Sequence, residues 1–341
     1  MKAVVIHEHG GVEKLRYQEH PVPQIHDHEV LVEVKAIALN HLDIWVRQGI
    51  ASARLPMPHI LGSDAAGVVA AVGDSVKNVY VGEKVLLAPG WGCGFCVYCL
   101  AGDDNLCREY RVLGENAQGV YAEYVKAPAV NAFSIPAGLS FEGAAAIPLV
   151  FLTAWHMLVH QAKLQPGEDI LILAAGSGVG SAGIQIAKLV GARVIAAAST
   201  DEKLQKAKEL GADDTINYSN LDFLELVRSI TNKRGVDVVF EHVGKATWEK
   251  SIKALCKGGR LVTCGATTGY DAVTDLRYVF FKELKIFGNF MGRKSGLLEA
   301  LKFFPQRFQP VIDTAFPLQE AARAHERLMN REQFGKVILL P

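Results

Sequence analysis

The sequence predicts a two-part α/β protein, a doubly wound parallel sheet set into a mainly β remainder. Three observations carry this expectation. Strand and helix patterns alternate from about residue 154 to 290, short alternating strands fill residues 1 to about 150, and the tail after residue 291 is mixed and ends in a strand. With 341 residues, 50% of them apolar, the chain can bury one large or two ordinary cores without staples.

The first part reads as β from "EVLVEVKAIAL", "AAGVVAAVG", "GEKVLLAP" and "VYAEYVKAP", which are separated by Gly, Pro and Asp turns. In the second part "DILILAA" precedes "SAGIQIAKLVGA", "RVIAAA" precedes "EKLQKAKELGA", and "VDVVFEHV" precedes "TWEKSIKAL" and "GGRLVTCG". Such βαβ units connect right-handed and build a parallel sheet. The tail offers a helix in "LQEAARAHERLMN" and a closing strand in "GKVILLP". A β region that resumes after an inserted α/β domain is expected to leave a cleft between the two.

Thirty-six basic and 36 acidic residues cancel. The bulk charge therefore gives no reason to expect nucleic acid or a membrane as partner, and points to a small-molecule ligand. Met1 leads directly into a strand-like run, and no segment approaches 18 uninterrupted apolar residues, so a cytoplasmic location is expected.

The loop "LAAGSGVGSAG" lies between an apolar strand and a helix. Glycine there admits the close approach of a phosphate, and the free N–H groups of the helix N-terminus stabilise the anion. Gly176, Ser177, Gly178, Val179 and Gly180 are the expected pyrophosphate contacts, although Ser177 replaces a glycine and Ala174 or Ala175 takes the first fingerprint position. An ordinary glycine-rich turn is the alternative. The second strand should report the nicotinamide cofactor, because NAD sites place Asp or Glu at its end to hold the ribose hydroxyls. Here the strand ends at Ala198, with Ser199, Lys203 and Tyr218 available to a 2′-phosphate and Asp201 opposing it. The competing expectation is an S-x-x-E capping box of Ser199 with Glu202.

Cys93, Cys96, Cys99 and Cys107 form a C-x2-C-x2-C-x7-C run. Four thiolates so spaced suit one tetrahedral zinc, and a closed shell of four leaves no position for chemistry. Disulfides or an iron–sulfur cluster are the alternatives. Cys256 and Cys264 read as small buried residues, and His26, His28 and His41 as surface or turn residues.

With these motifs the whole chain resembles the medium-chain dehydrogenase/reductase superfamily, whose members include zinc alcohol dehydrogenases and quinone reductases. The resemblance implies a GroES-like catalytic domain over 1–153 and 291–341, a Rossmann domain over 154–290, and a structural-zinc lobe at about 90–110. Zinc alcohol dehydrogenases keep a cysteine ligand where this chain has Asn40, Gly-His-Glu where it has Gly62, Ser63 and Asp64, and a third ligand near Leu149. These replacements imply that the catalytic zinc is missing. Leu42 and Trp45 likewise replace the proton relay, and the remaining Asn40 and Asp43 resemble the zinc-free quinone and enoyl reductase branch.

The expected activity is hydride transfer from NADPH to an activated C=C bond, of an enone or enoyl thioester, or to a quinone. Asn40 is the expected donor to the developing oxyanion and Asp43 its orienter, against a reading in which the pair only caps a turn. Thr153 and His156, taken to begin the helix joining the domains, are expected either to face the nicotinamide or to serve as cap and packing residues, and the backbone of Phe290 and Met291 is expected to hold its carboxamide. Trp45, Ile50, Met57, Phe151 and Phe290 are candidate pocket residues. The alternatives are a zinc alcohol dehydrogenase with altered ligands and an NADPH-binding protein without useful turnover. A homodimer or homotetramer is expected.

Overall fold

The computed structural model describes residues 1–49, 55–219 and 222–341. Ile50 lies outside the described residues. The chain forms two compact units, one of Met1–Leu149 with Arg293–Pro341 and the other of Val150–Gly292. The passage from one to the next falls inside the helix Pro148–Trp155, where the apolar pattern does not change.

In the first unit a seven-stranded sheet is built around Glu29–Ala38, whose alternating valines fill the core on one face. Asp64–Val72 runs antiparallel along its whole length, while Tyr124–Pro128 pairs with its first half on the other flank. The closing strand Lys336–Leu340 takes the second half, with Ile338 opposite Ala38 and Leu339 opposite Ile37. This register carries three distant segments to one point. Asp64 sits opposite Ala38, and continuing the other pairing by two residues sets Lys336 opposite Asn40.

The strand gives way at once to the helix His41–Gln48, with Asn40 as N-cap in an extended conformation and Asp43 completing a capping box. Gly62, just before Asp64, is a glycine by steric necessity. Its φ is +93°, and a Cβ there would lie 2.3 Å from the ring of Tyr121.

The second unit is a six-stranded parallel sheet in the order Asp214–Asn217, Arg193–Ala198, Asp169–Ile172, Val236–Glu241, Leu255–Thr263, Lys285–Gly288. This is the doubly wound α/β class. The first strand in sequence lies in the middle, so chain order reverses between it and Val236–Glu241, the switch point beyond whose strand ends doubly wound sheets take their ligands. Helix Pro148–Trp155 continues into a π-helical turn, His156–Gln161. Thr153 therefore stands well inside the helix and not at its start, which corrects the expectation from sequence and removes a capping role for it.

Candidate functional site

At the positions where a metal site was sought in the sequence, the structure holds a lysine. Lys336 Nζ donates to Asn40 Oδ1 at 2.5 Å and to Asp64 Oδ2 at 3.0 Å. Asn40 Nδ2 donates to the same Asp64 oxygen at 2.9 Å and more weakly to the Ala38 carbonyl at 3.4 Å. Because an ammonium only donates and a carboxylate only accepts, these partners fix which way the Asn40 amide faces. Leu149 contributes its backbone N–H to Asp64 Oδ1 at 2.9 Å, and Ser63 turns its hydroxyl away to the Leu113 carbonyl.

Asp64 is fully buried and Lys336 is 3% exposed. Such a pair persists away from water only because each charge is compensated and hydrogen-bonded. Two acceptors engage two of the three ammonium N–H bonds, and among the described residues nothing accepts the third. The donor expected at Asn40 is thus already engaged, and the available donor of the cluster belongs to Lys336. Sequence reading missed it, although a lysine opening an otherwise apolar closing strand was a visible signal.

A second chain of buried groups starts at Asp43. Its Oδ2 accepts from the Asn40 backbone N–H and from Tyr121 Oη, both at 2.9 Å. Tyr121 Oη lies 3.0 Å from His325 Nε2, and Arg47 Nη1 lies 2.9 Å from His325 Nδ1. Arginine only donates, so His325 Nδ1 accepts and Nε2 carries the proton, which leaves the Tyr121 hydroxyl to donate to Asp43. Burial keeps His325 neutral, lowering its pKa to about 3. Burial also raises Asp43 to about 7, opposed by the hydrogen bonds from Asn40 and Tyr121, and its Oδ1 has no partner among the described residues.

The cysteine lobe lies in the same unit. The ligand atoms of Cys93, Cys96, Cys99 and Cys107 all fall within 4.8 Å of one another. A tetrahedral zinc with bonds of about 2.3 Å sets its sulfurs about 3.8 Å apart, so the group fits the ion. The glycines serve this geometry. A Cβ at Gly92 would strike Cys99 Sγ at 2.5 Å, while Gly94 and Gly102 take φ of +87° and +83°.

In the second unit Ser177 caps the helix Gly178–Val190, its Oγ accepting the Gly180 N–H at 2.9 Å. A Cβ on Gly180 would lie 2.7 Å from the Ala174 carbonyl, so the third fingerprint glycine is required. Counted back from Gly180 and Ser177, the first position falls on Ala175, and Ala174 beside it adopts φ of +44°. Gly176 and Val179 belong to the same loop and first turn.

The strand Arg193–Ala198 ends without a carboxylate. Helix Asp201–Glu209 is capped by Thr200, which accepts from Lys203 N. The Ser199–Glu202 capping box is therefore absent, since Thr200 stands one residue nearer the helix. Asp201 is engaged by Asn217, and the Tyr218–Ser219 turn is tied to Ala198 and Ser199 by two hydrogen bonds. Elsewhere in this unit Thr153 Oγ1 is buried without a partner among the described residues. Gly292 abuts Leu152 and His156, which brings Phe290 and Met291 beside the helix of Thr153, and Met291 has φ of +52°.

Residues 178–306 match the zinc-binding dehydrogenase family and residues 26–137 the alcohol dehydrogenase GroES-like domain. An NAD-dependent alcohol dehydrogenase of Saccharolobus solfataricus is 33% identical, with all of both chains covered. The chain belongs to the medium-chain dehydrogenase/reductase superfamily. Quinone oxidoreductase 1 of Escherichia coli is 32% identical, with 99% of each chain covered. Among solved structures, an NAD-dependent alcohol dehydrogenase is 49% identical with a TM-score of 0.97 over the full length of both chains. As a member of this superfamily the protein is an oxidoreductase of small molecules that uses a nicotinamide cofactor. Both alcohol dehydrogenases and quinone reductases stand among its relatives. Among the described residues no helix is long and apolar enough to cross a membrane.

Proposed function

We propose that this oxidoreductase is an NADPH-dependent reductase of activated C=C bonds, in enones or enoyl thioesters, or of quinones, working without a catalytic metal. The observation that carries this reading is the Lys336 ammonium held by Asn40 and Asp64, a fixed cation among the residues that replace the metal ligands of zinc alcohol dehydrogenases. When bound, the reduced nicotinamide supplies the hydride. Addition at the β-carbon leaves the electron pair on the carbonyl oxygen as an enolate. The unengaged N–H of Lys336 offers that oxygen a charge-assisted hydrogen bond, and the carbon takes its proton from solvent. Asn40 and Asp64 position the ammonium, and Asp43 holds the Asn40 backbone. Asn40 is a positioning residue in this scheme.

Within the nucleotide-binding unit, the helix end at Gly176, Ser177, Gly178, Val179 and Gly180 suits the pyrophosphate. Thr153, Phe290 and Met291 suit the nicotinamide carboxamide. Ala198, with Ser199, Lys203 and Tyr218, favours a 2′-phosphate, although the relatives named as NAD-dependent pull the other way. One structural zinc on the four cysteines completes the set. We place the protein in the cytoplasm as a homodimer or homotetramer. The edge strand Lys285–Gly288, with Phe280, Phe281 and Ile286 exposed beside it, supports the dimer.

Assays of enones, quinones, enoyl thioesters and alcohols with NADPH and NADH, after treatment with a chelator, test the reading. Turnover of an enone or quinone with NADPH supports it. Chelator-sensitive alcohol oxidation alone would establish the zinc dehydrogenase, and cofactor binding with no turnover of any substrate would establish the binding protein.

A further inference from the structure

His242 follows the strand Val236–Glu241 and has no part in the scheme above. It is 7% exposed, and its Nε2 lies 2.9 Å from the carbonyl oxygen of Leu173, the residue after the strand Asp169–Ile172. A carbonyl only accepts, so Nε2 carries the ring proton and Nδ1 of the neutral imidazole is an acceptor. Burial lowers the pKa of the ring, which favours that neutral form. The Ser177 hydroxyl stands 3.5 Å from Nε2, on the proton-bearing side. Among the described residues nothing donates to Nδ1.

The place of this acceptor matters. Leu173 and His242 follow the two strands between which the chain order reverses, so their hydrogen bond spans the floor of the crevice where doubly wound sheets take dinucleotides. The helix N-terminus at Ser177 and Gly178 claims the pyrophosphate. The strand ending at Ala198, on one side, claims the adenosine ribose. The other side, over Val236–Glu241, is left for the nicotinamide half. A phosphate at neutral pH only accepts and would be repelled by a second acceptor, whereas a sugar hydroxyl can donate to one.

We infer that His242 is a cofactor-binding residue whose Nδ1 accepts a hydrogen bond from a hydroxyl of the ribose in the nicotinamide half. The inference rests on the dinucleotide reading of this unit. It assigns the Leu173 carbonyl a role as well, because that oxygen fixes the ring proton on Nε2 and so leaves the acceptor facing the ligand.

Calorimetric titration of the wild-type protein, His242→Val and His242→Asn with NADPH and with 2′,5′-ADP tests it, since 2′,5′-ADP has no nicotinamide ribose. A single neutral hydrogen bond contributes about 0.5–1.5 kcal/mol, roughly two- to tenfold in affinity. His242→Val is expected to weaken NADPH by about that factor and to leave 2′,5′-ADP unchanged. His242→Asn, with a donor and an acceptor on one amide, should recover part of the loss. Unchanged NADPH affinity in His242→Val overturns the inference. Equal weakening of both ligands also overturns it, because that is the mark of a packing role. A wild-type protein that binds neither these ligands nor NADH would remove the dinucleotide reading itself, and the inference with it.

Discussion

Lys336 and Asp64 show how a buried charge pair fixes a site, and Asp43 shows how an unpaired one leaves a signature. Removing one partner of a buried pair typically costs about 3–5 kcal/mol, because the other charge stays behind uncompensated. Lys336→Met should therefore lower stability by that order and also depress enone turnover. Adding Asp64→Leu should restore much of the stability but none of the turnover. Denaturant unfolding alongside steady-state kinetics would separate the two effects, and full activity in Lys336→Met would exclude the ammonium from the chemistry.

Asp43 makes a different prediction. Burial raises its pKa from 3.8 to about 7, so between those values the folded protein keeps a proton that the unfolded chain has released. That proton stabilises the fold at low pH. Stability falls as pH rises through the window and levels off above about 7, with a total loss of a few kcal/mol at about 1.4 per pKa unit. Asp43→Asn should remove this slope, which thermal unfolding from pH 4 to 8 would reveal as two curves that differ mainly between pH 4 and 7. Parallel curves would mean that Asp43 does not titrate there.

At the scale of single elements, the ends of strands and helices set cofactor choice. A charge-assisted hydrogen bond to a 2′-phosphate is worth about 1.5–3 kcal/mol, roughly ten- to a hundredfold in affinity. NADPH should accordingly bind more tightly than NADH, Lys203→Ala should erase part of the difference, and Ala198→Asp should reverse it. Tighter binding of NADH by the unmodified protein would refute the assignment.

Much at this scale was legible in advance. The parallel sheet followed from alternating strand and helix periods, and the cysteine lobe from a spacing that only a few chemistries use. Helix ends were less legible. Ser199 and Thr200 both offer a capping hydroxyl, and only backbone geometry decided for Thr200. The cluster at Asn40 was half legible. Its missing ligands showed in the sequence, but Lys336 is 296 residues away along the chain and reaches Asn40 only through strand register. Tyr121, His325 and Arg47 were unreadable for the same reason.

For the molecule as a whole, two cation sites follow opposite rules. The cysteine lobe should hold one zinc per chain, and Cys99→Ser should lower metal content and melting temperature together, because metal binding and local folding are one equilibrium. At Asn40 the protein already supplies its own cation. Asn40→Cys with Ser63→His should for that reason fail to recruit a second zinc while Lys336 is present, and should gain one when Lys336→Met is added. The most direct measurement of the central claim is the zinc content of the unmodified protein, taken on the same sample as its NADPH-dependent enone or quinone reduction before and after treatment with a chelator that removes loosely held metal but leaves the cysteine-lobe zinc in place. Metal-free chemistry at Lys336 predicts one zinc per chain and a reduction rate that the chelator does not change. Two zincs per chain, with an activity that disappears as the second is removed, would contradict it.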